Sequence, residues 1–147
     1  MKTKQWFISL VLFTMTLFFC SGDFQATAGS DALVIIANKN VSKNALSKAE
    51  VRNIFLKETN RIGSTKVVPI HAKANSPLRK AFNQKILGMS VSKEATYWQQ
   101  AKVQTGNLPP KEMGNTWKGV LLVPGAVGYA FASEVDDKLP VKIVLKL

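Results

Sequence analysis

Apolar positions fall in short blocks whose spacing alternates between that of a strand and that of a helix. Leu33–Ala37 (LVIIA) is a continuous apolar run rich in β-branched residues. Such a run predicts a strand buried on both faces, as in a parallel sheet. Ser47-Lys48-Ala49-Glu50 reads as a capping box, with Ser47 at the N-cap and Leu46 and Val51 at the positions of a hydrophobic staple. Val51, Ile54 and Phe55 share one helical face. The helix is expected to end near Leu56–Lys57, before a polar turn from Glu58 to Ser64. Val67–Ile70 reads as a second short strand.

Asn75-Ser76-Pro77 opens a second helix, with Ser76 at the N-cap and Pro77 at the first helical position, where a missing N–H costs nothing. Leu78, Ala81, Phe82 and Ile86 form its apolar stripe, and Gly88 is a natural stop. A third helix is expected from Ser90, turning Val91, Ala95, Trp98 and Ala101 inward and ending at Gly106 and Pro109-Pro110. A weak helical pattern covers Thr116–Leu122. Pro124-Gly125 is a turn, and Val127–Phe131 a strand. Val141–Leu147 alternates so that Val141, Ile143, Leu145 and Leu147 share one face and Lys142 and Lys146 the other, as in an edge strand. Strands interleaved with helices predict an α/β domain of three layers.

The first 28 residues read differently. Lys2 and Lys4 precede an apolar stretch from Trp6 to Phe19, followed by Ala26-Thr27-Ala28. Fourteen residues are short for a bilayer-spanning helix and suit a cleavable export signal, with the cut expected before Gly29. An uncleaved anchor is the alternative. Phe18 and Phe19 before Cys20 argue against lipoprotein processing, which favours small residues there. Residues 29–147 would then form one domain with no cysteine, hence no disulfide and no thiolate site. The whole chain carries a net charge of +11. Losing Lys2, Lys4 and Asp23 leaves +10 on the exported domain, a field that favours anionic ligands or acidic surfaces. The basic residues are dispersed rather than run together, and export is expected, so nucleic acid is a poor partner.

Catalytic chemistry has little to draw on. His71 is the one histidine of the chain. No serine lies in a nucleophile-elbow pattern, and no Gly-rich phosphate loop is present. A zinc site on one histidine without cysteine is improbable. The segment Ile70–Arg79 is more informative. It runs from a strand end through a polar turn into a helix start, where open α/β sheets bind ligands. Ser76 supplies a hydroxyl, Asn75 an amide, and Lys73 and Arg79 cations. That set fits a small anion, although most serine N-caps only cap.

Three segments resemble a known family. Leu46–Leu56 (LSKAEVRNIFL), Asn75–Phe82 (NSPLRKAF) and Pro124–Tyr129 (PGAVGY) are similar to landmarks of the phosphate-binding proteins of ABC phosphate importers, in a short, single-lobe branch of the periplasmic-binding-protein-like group. PGAVGY is the most specific of them. The resemblance implies a three-layer α/β lobe with a small mixed sheet, which binds phosphate or another small oxyanion without a cofactor and is not an enzyme. Its site would use Ser76, Asn75, Arg79, Lys73 and, just past the first strand, Asn38. Gly125 and Gly128 would serve backbone geometry. An ABC transporter or another periplasmic protein would be the partner, in the periplasm or outside the cell. Ala72 stands where related sequences often carry an arginine, and residues 29–147 have room for one lobe only. A second copy could therefore complete the cleft. The rival reading is a ligand-free module of the same fold that docks an acidic periplasmic or membrane protein. A secreted hydrolase using His71 is a weaker third.

Export predicts a chain that begins Gly29-Ser30-Asp31 when the protein is recovered from a secreting host. Mass spectrometry of the purified protein checks this, and an intact Met1 on a membrane-bound chain would overturn it.

Overall fold

The computed structural model describes residues 31–147. The expected export signal and its cleavage point lie outside the described residues. A five-stranded sheet carries helices on both faces. Its strands are β1 (Leu33–Asn38), β4 (Val68–Ala72), β5 (Lys111–Met113), β6 (Ala126–Phe131) and β7 (Val141–Lys146). Between β1 and β4 lies a two-stranded hairpin, β2 (Arg61–Ile62) and β3 (Thr65–Lys66), whose first strand falls inside the stretch expected to be a plain turn and whose second follows it. The helices are α1 (Lys48–Phe55), α2 (Pro77–Phe82), α3 (Val91–Thr105) and α4 (Thr116–Leu122).

The sheet order is β5-β4-β6-β1-β7. Strand β4 pairs in parallel with β5 and β6, whereas β1 pairs antiparallel with β6 and β7. The sheet is therefore mixed, as expected, but β1 does not lie in a parallel ladder. Its apolar run has another cause. β1 lies between two strands and its residues pack alternately on two cores, so both faces are buried. Leu33, Ile35 and Ala37 face α1 and α2 with Phe55, Phe82 and Tyr129, while Val34 and Ile36 face α4 with Ile70 and Val120.

Local chemistry sets the element ends. Ser47 and Glu50 form the capping box of α1, and Ser76 and Ser90 cap α2 and α3. α2 does not run as one α-helix to Gly88. It passes into a π-turn at Asn83–Leu87, and Gly88 closes it in the left-handed region. Pro69 sits in a central strand, but pairing with β5 starts only at Ile70, so no ladder bond to β5 is lost there. In β7 the strict alternation fails. A register shift opposite Ile35 and Ile36 puts Val141 and Ile143 on the α4 side, with Val144, Leu145 and Leu147 on the other. α3 is rotated from its expected face. Glu94 and Trp98 are buried while Ala95 is exposed.

The two glycines of PGAVGY act sterically. Gly125 has φ +74°, and a Cβ there would also strike the Lys66 carbonyl oxygen. A Cβ on Gly128 would lie 2.7 Å from Val120 Cγ2, so glycine lets α4 sit close on β6. Gly125→Ala is expected to cost about 2 kcal/mol or more, from left-handed backbone strain plus the clash. Chemical denaturation would check this, and an unchanged midpoint would overturn it.

Candidate functional site

The carboxyl ends of β4 and β5 form a crevice. The strands run parallel with Ala72 opposite Met113, so the residues that follow, Lys73 and Gly114, leave the sheet side by side. The chain after β4 enters α2 on one face of the sheet, and the chain after β5 enters α4 on the other. Neighbouring parallel strands whose connections diverge in this way make a topological switch point, where open α/β sheets hold ligands. Lys73 lies across the opening, with its Cε 3.7 Å from where a Cβ on Gly114 would be. Ser76 Oγ donates to the Lys73 carbonyl at 2.8 Å and accepts from Arg79 N–H at 3.1 Å. Opposite, the Asn115 side chain accepts from Lys118 N–H and caps α4. Lys73, Ala74, Asn75 and Gly114 are exposed, so the crevice is open to water.

Behind this loop is a buried polar network, little signalled along the chain. Arg79 is 4% exposed and Glu94 1%. Arg79 Nη2 lies 3.0 Å from both Glu94 carboxylate oxygens, and Nε lies 3.1 Å from Oε2. Asn83 Nδ2 donates to Glu94 Oε2 at 2.6 Å, and Trp98 Nε1 to Oε1 at 3.3 Å. His71, fully buried, puts Nε2 3.0 Å from Glu94 Oε1, close enough for electrostatic attraction but poorly aligned for a hydrogen bond. Its Nδ1 is 2.9 Å from the Tyr129 hydroxyl, which also accepts from Ala72 N–H at 3.0 Å. Around these groups Phe82 stacks on Tyr129 at 3.9 Å, and Phe55 packs on His71.

The five residues expected at one site are not all brought together. Lys73, Asn75 and Ser76 share the crevice loop. Arg79 does not reach it as a free donor. All three of its guanidinium nitrogens are engaged, by Glu94, by Asn83 Oδ1, by the Ala72 carbonyl at 2.7 Å, and by Glu112 at 3.3 Å. Asn38 lies at the opposite end of the sheet, because β1 runs against β6 while β4 runs with it. There its amide donates to the Val120 carbonyl at 2.9 Å and ties the end of β1 to the end of α4. His71 is a core residue, hydrogen-bonded to the Tyr129 hydroxyl and away from the loop surface. Glu94, Asn83 and Tyr129 were missed as polar partners. For Asn83 and Glu94 the one signal is helical spacing: Arg79 with Asn83, and Glu94 with Trp98, each four apart on an otherwise apolar stripe.

The fold is similar to that of solved structures. A phosphate ABC transporter substrate-binding protein with bound phosphate from Clostridium perfringens aligns at TM-score 0.57 and 23% identity, over 78% of this chain and 44% of that one. An ABC-type phosphate transport receptor from Vibrio cholerae aligns at 0.56 and 15%, over 78% and 45%. PstS from Borrelia burgdorferi aligns at 0.60 and 14%, over 78% and 46%. The fold is the one these binding proteins use over a little under half of their length. At such identities the similarity establishes the fold alone. No family model and no curated protein matches the sequence. Among the described residues, no cluster of three or more His, Cys, Asp or Glu side chains could hold a metal, and no helix is long and apolar enough to cross a membrane.

The network makes stability depend on pH. Burial alone would raise the Glu94 pKa, but the adjoining His71 imidazole, the Asn83 hydrogen bond and the Arg79 charge outweigh it and hold the group at about 2, against an ordinary 4.5. Burial lowers the His71 pKa below 6.5, with Glu94 opposing and Arg79 adding to the shift. Both groups bind protons less readily when folded, so both contribute stability above their unfolded pKa values. The His71 share is expected to fade as pH drops below 6.5, and the Glu94 share as pH drops from 4.5 towards 2. Glu94→Gln should cost about 3–5 kcal/mol at pH 7, because it leaves a buried guanidinium poorly paired, and should flatten the lower step. Thermal unfolding across pH 8 to 2 checks both, and an unchanged lower step in the variant would overturn the assignment.

Proposed function

We propose that this chain is an exported, non-enzymatic binding lobe for a small oxyanion such as phosphate, held in the crevice between the carboxyl ends of β4 and β5. The observation that carries this is that Lys73, at the head of the Asn75–Ser76 turn, leaves β4 beside Gly114 at a switch point of the sheet. Lys73 supplies the charge, Asn75 and the chain at Gly114 supply donors beside it, and Ser76, whose hydroxyl and N–H both donate to the Lys73 carbonyl, holds the loop in shape. The net charge of +10 on the exported domain adds a favourable field. The fold is shared with proteins described as phosphate transport receptors, and delivery to an ABC importer in the periplasm is the wider role proposed. This chain spans less than half of each of those, and its crevice is walled on one side. Open donors compete with water, so binding should be weak.

The reading with a second observation behind it is a docking module. An apolar groove of about 370 Å³, lined by Val91, Trp98, Leu108 and Pro109 among others, opens beside Ala74. In that reading the fold is kept and the crevice is empty.

Isothermal titration calorimetry at low ionic strength with phosphate and sulfate distinguishes the two. The expected result is saturable heat with a dissociation constant on the order of 1 mM. Lys73→Ala should weaken binding about tenfold by removing one charge-assisted contact. Ser76→Ala should weaken it too, with about 1 kcal/mol of stability lost with the cap. No heat with either anion at tens of millimolar would refute the binding lobe and leave the docking module.

A further inference from the structure

Side chains hold both polar groups of Ala72, the last residue of β4. Its N–H donates to the Tyr129 hydroxyl at 3.0 Å, and its carbonyl accepts from Arg79 Nη1 at 2.7 Å. This clamp fixes where the loop Lys73–Ser76 leaves the sheet. The same hydroxyl lies 2.9 Å from His71 Nδ1. A hydroxyl carries one proton and can donate once. While its oxygen accepts from Ala72, its proton goes to Nδ1, which must therefore be bare. The imidazole proton is then on Nε2, facing Glu94 Oε1 at 3.0 Å. These partners assign a neutral imidazole in one tautomer.

Protonation changes that count. Nδ1 becomes a donor aimed at the Tyr129 oxygen, and the Tyr129 proton loses its acceptor. One oxygen must then accept from both His71 and Ala72 while its own proton is stranded in the core, which is costly. We propose that His71 and Tyr129 form a proton-operated clamp on the crevice loop: proton uptake by His71 turns the Tyr129 hydroxyl away from the Ala72 N–H and loosens Lys73–Ser76. Its consequence for ligand rests on the oxyanion reading above; the clamp itself does not. The charged groups facing His71 are Glu94 from α3, Arg79 from α2 and Glu112 from β5. The other groups packed on it are Phe55 from α1, Phe82 from α2 and Tyr129 from β6. Glu94 and Glu112 favour the imidazolium, while burial and Arg79 oppose it, so the transition falls on the acid side of 6.5. An anion that needs the ordered loop binds the unprotonated form better, and by linkage it opposes proton uptake.

Because His71 is the one histidine in the chain, its ring signals in NMR are unambiguous. In anion-free protein, the amide signals of Ala72, Lys73 and Asn75 are expected to move with the His71 ring, with one shared pH midpoint. In Tyr129→Phe the ring can still stack on Phe82 but lacks the hydroxyl. His71 should still titrate there while the loop amides no longer follow it. Loop amides that ignore the His71 titration in the wild type overturn the clamp, whether or not any anion binds. Inorganic phosphate then tests the consequence. The affinity of the wild type relative to His71→Gln should fall at least about 5-fold between pH 7.5 and one unit below the His71 midpoint that the NMR titration gives. Phosphate's own titration cancels in that ratio, and Tyr129→Phe can replace the glutamine variant if the latter fails to fold. A constant ratio with amide coupling intact refutes control of binding, whereas no phosphate binding in any protein refutes the site instead.

Discussion

A buried ion pair organises this domain. Arg79 on α2 and Glu94 on α3 meet with almost no exposure, and each is bonded to further groups rather than left to its partner alone. Taking two charges out of water costs several kcal/mol per ion, on the order of what their attraction returns, so such a pair is weak evidence for stability in itself. Its effect here is on arrangement. Arg79 and Glu94 have few other places where their bonding capacity could be met, which fixes α3 against α2 and the end of β4. The π-turn begins at Asn83, the residue that donates to Glu94 while accepting from Arg79.

The polarity of the sheet decides what the two ends can do. The parallel trio β5-β4-β6 gathers its strand ends on one side, where the loops after β4 and β5 diverge to opposite faces. The antiparallel β1 and β7 complete the core and send Asn38 to the far end, where its amide closes the last turn of α4. One end of the sheet is thus left open with polar loops and the other is sealed by backbone contacts.

Charge reaches the crevice in a restricted form. Arg79 would have been the bidentate donor suited to an oxyanion, but its guanidinium is committed to Glu94, Glu112 and backbone. What remains in the loop is Lys73, a point charge on a flexible stem, with Asn75 and Ser76 as neutral neighbours. The loop therefore depends on its anchor to the sheet at Ala72, and that anchor is made by groups of the buried network.

Much of the fold was legible along the chain, because capping, helix stops and apolar stripes are local. Ser47 with Glu50, Ser76 before Pro77, and Gly88 and Gly106 mark the helices with contacts only a few residues long. PGAVGY marks a turn and strand whose glycines are needed for steric reasons. β5 was not legible, since two of its three residues are charged and it owes its extended form to pairing with β4. Strand direction was not legible either, because an apolar run records that both faces are buried and not which way the neighbours point. The same limit hid Glu94 and His71: a charged residue on a helix looks solvated until the partner that neutralises it, 15 residues away in sequence for Arg79 and Glu94, is brought alongside. Hydrogen bonding between neighbours in the chain can be read from sequence; pairing between distant groups is set only when the sheet assembles.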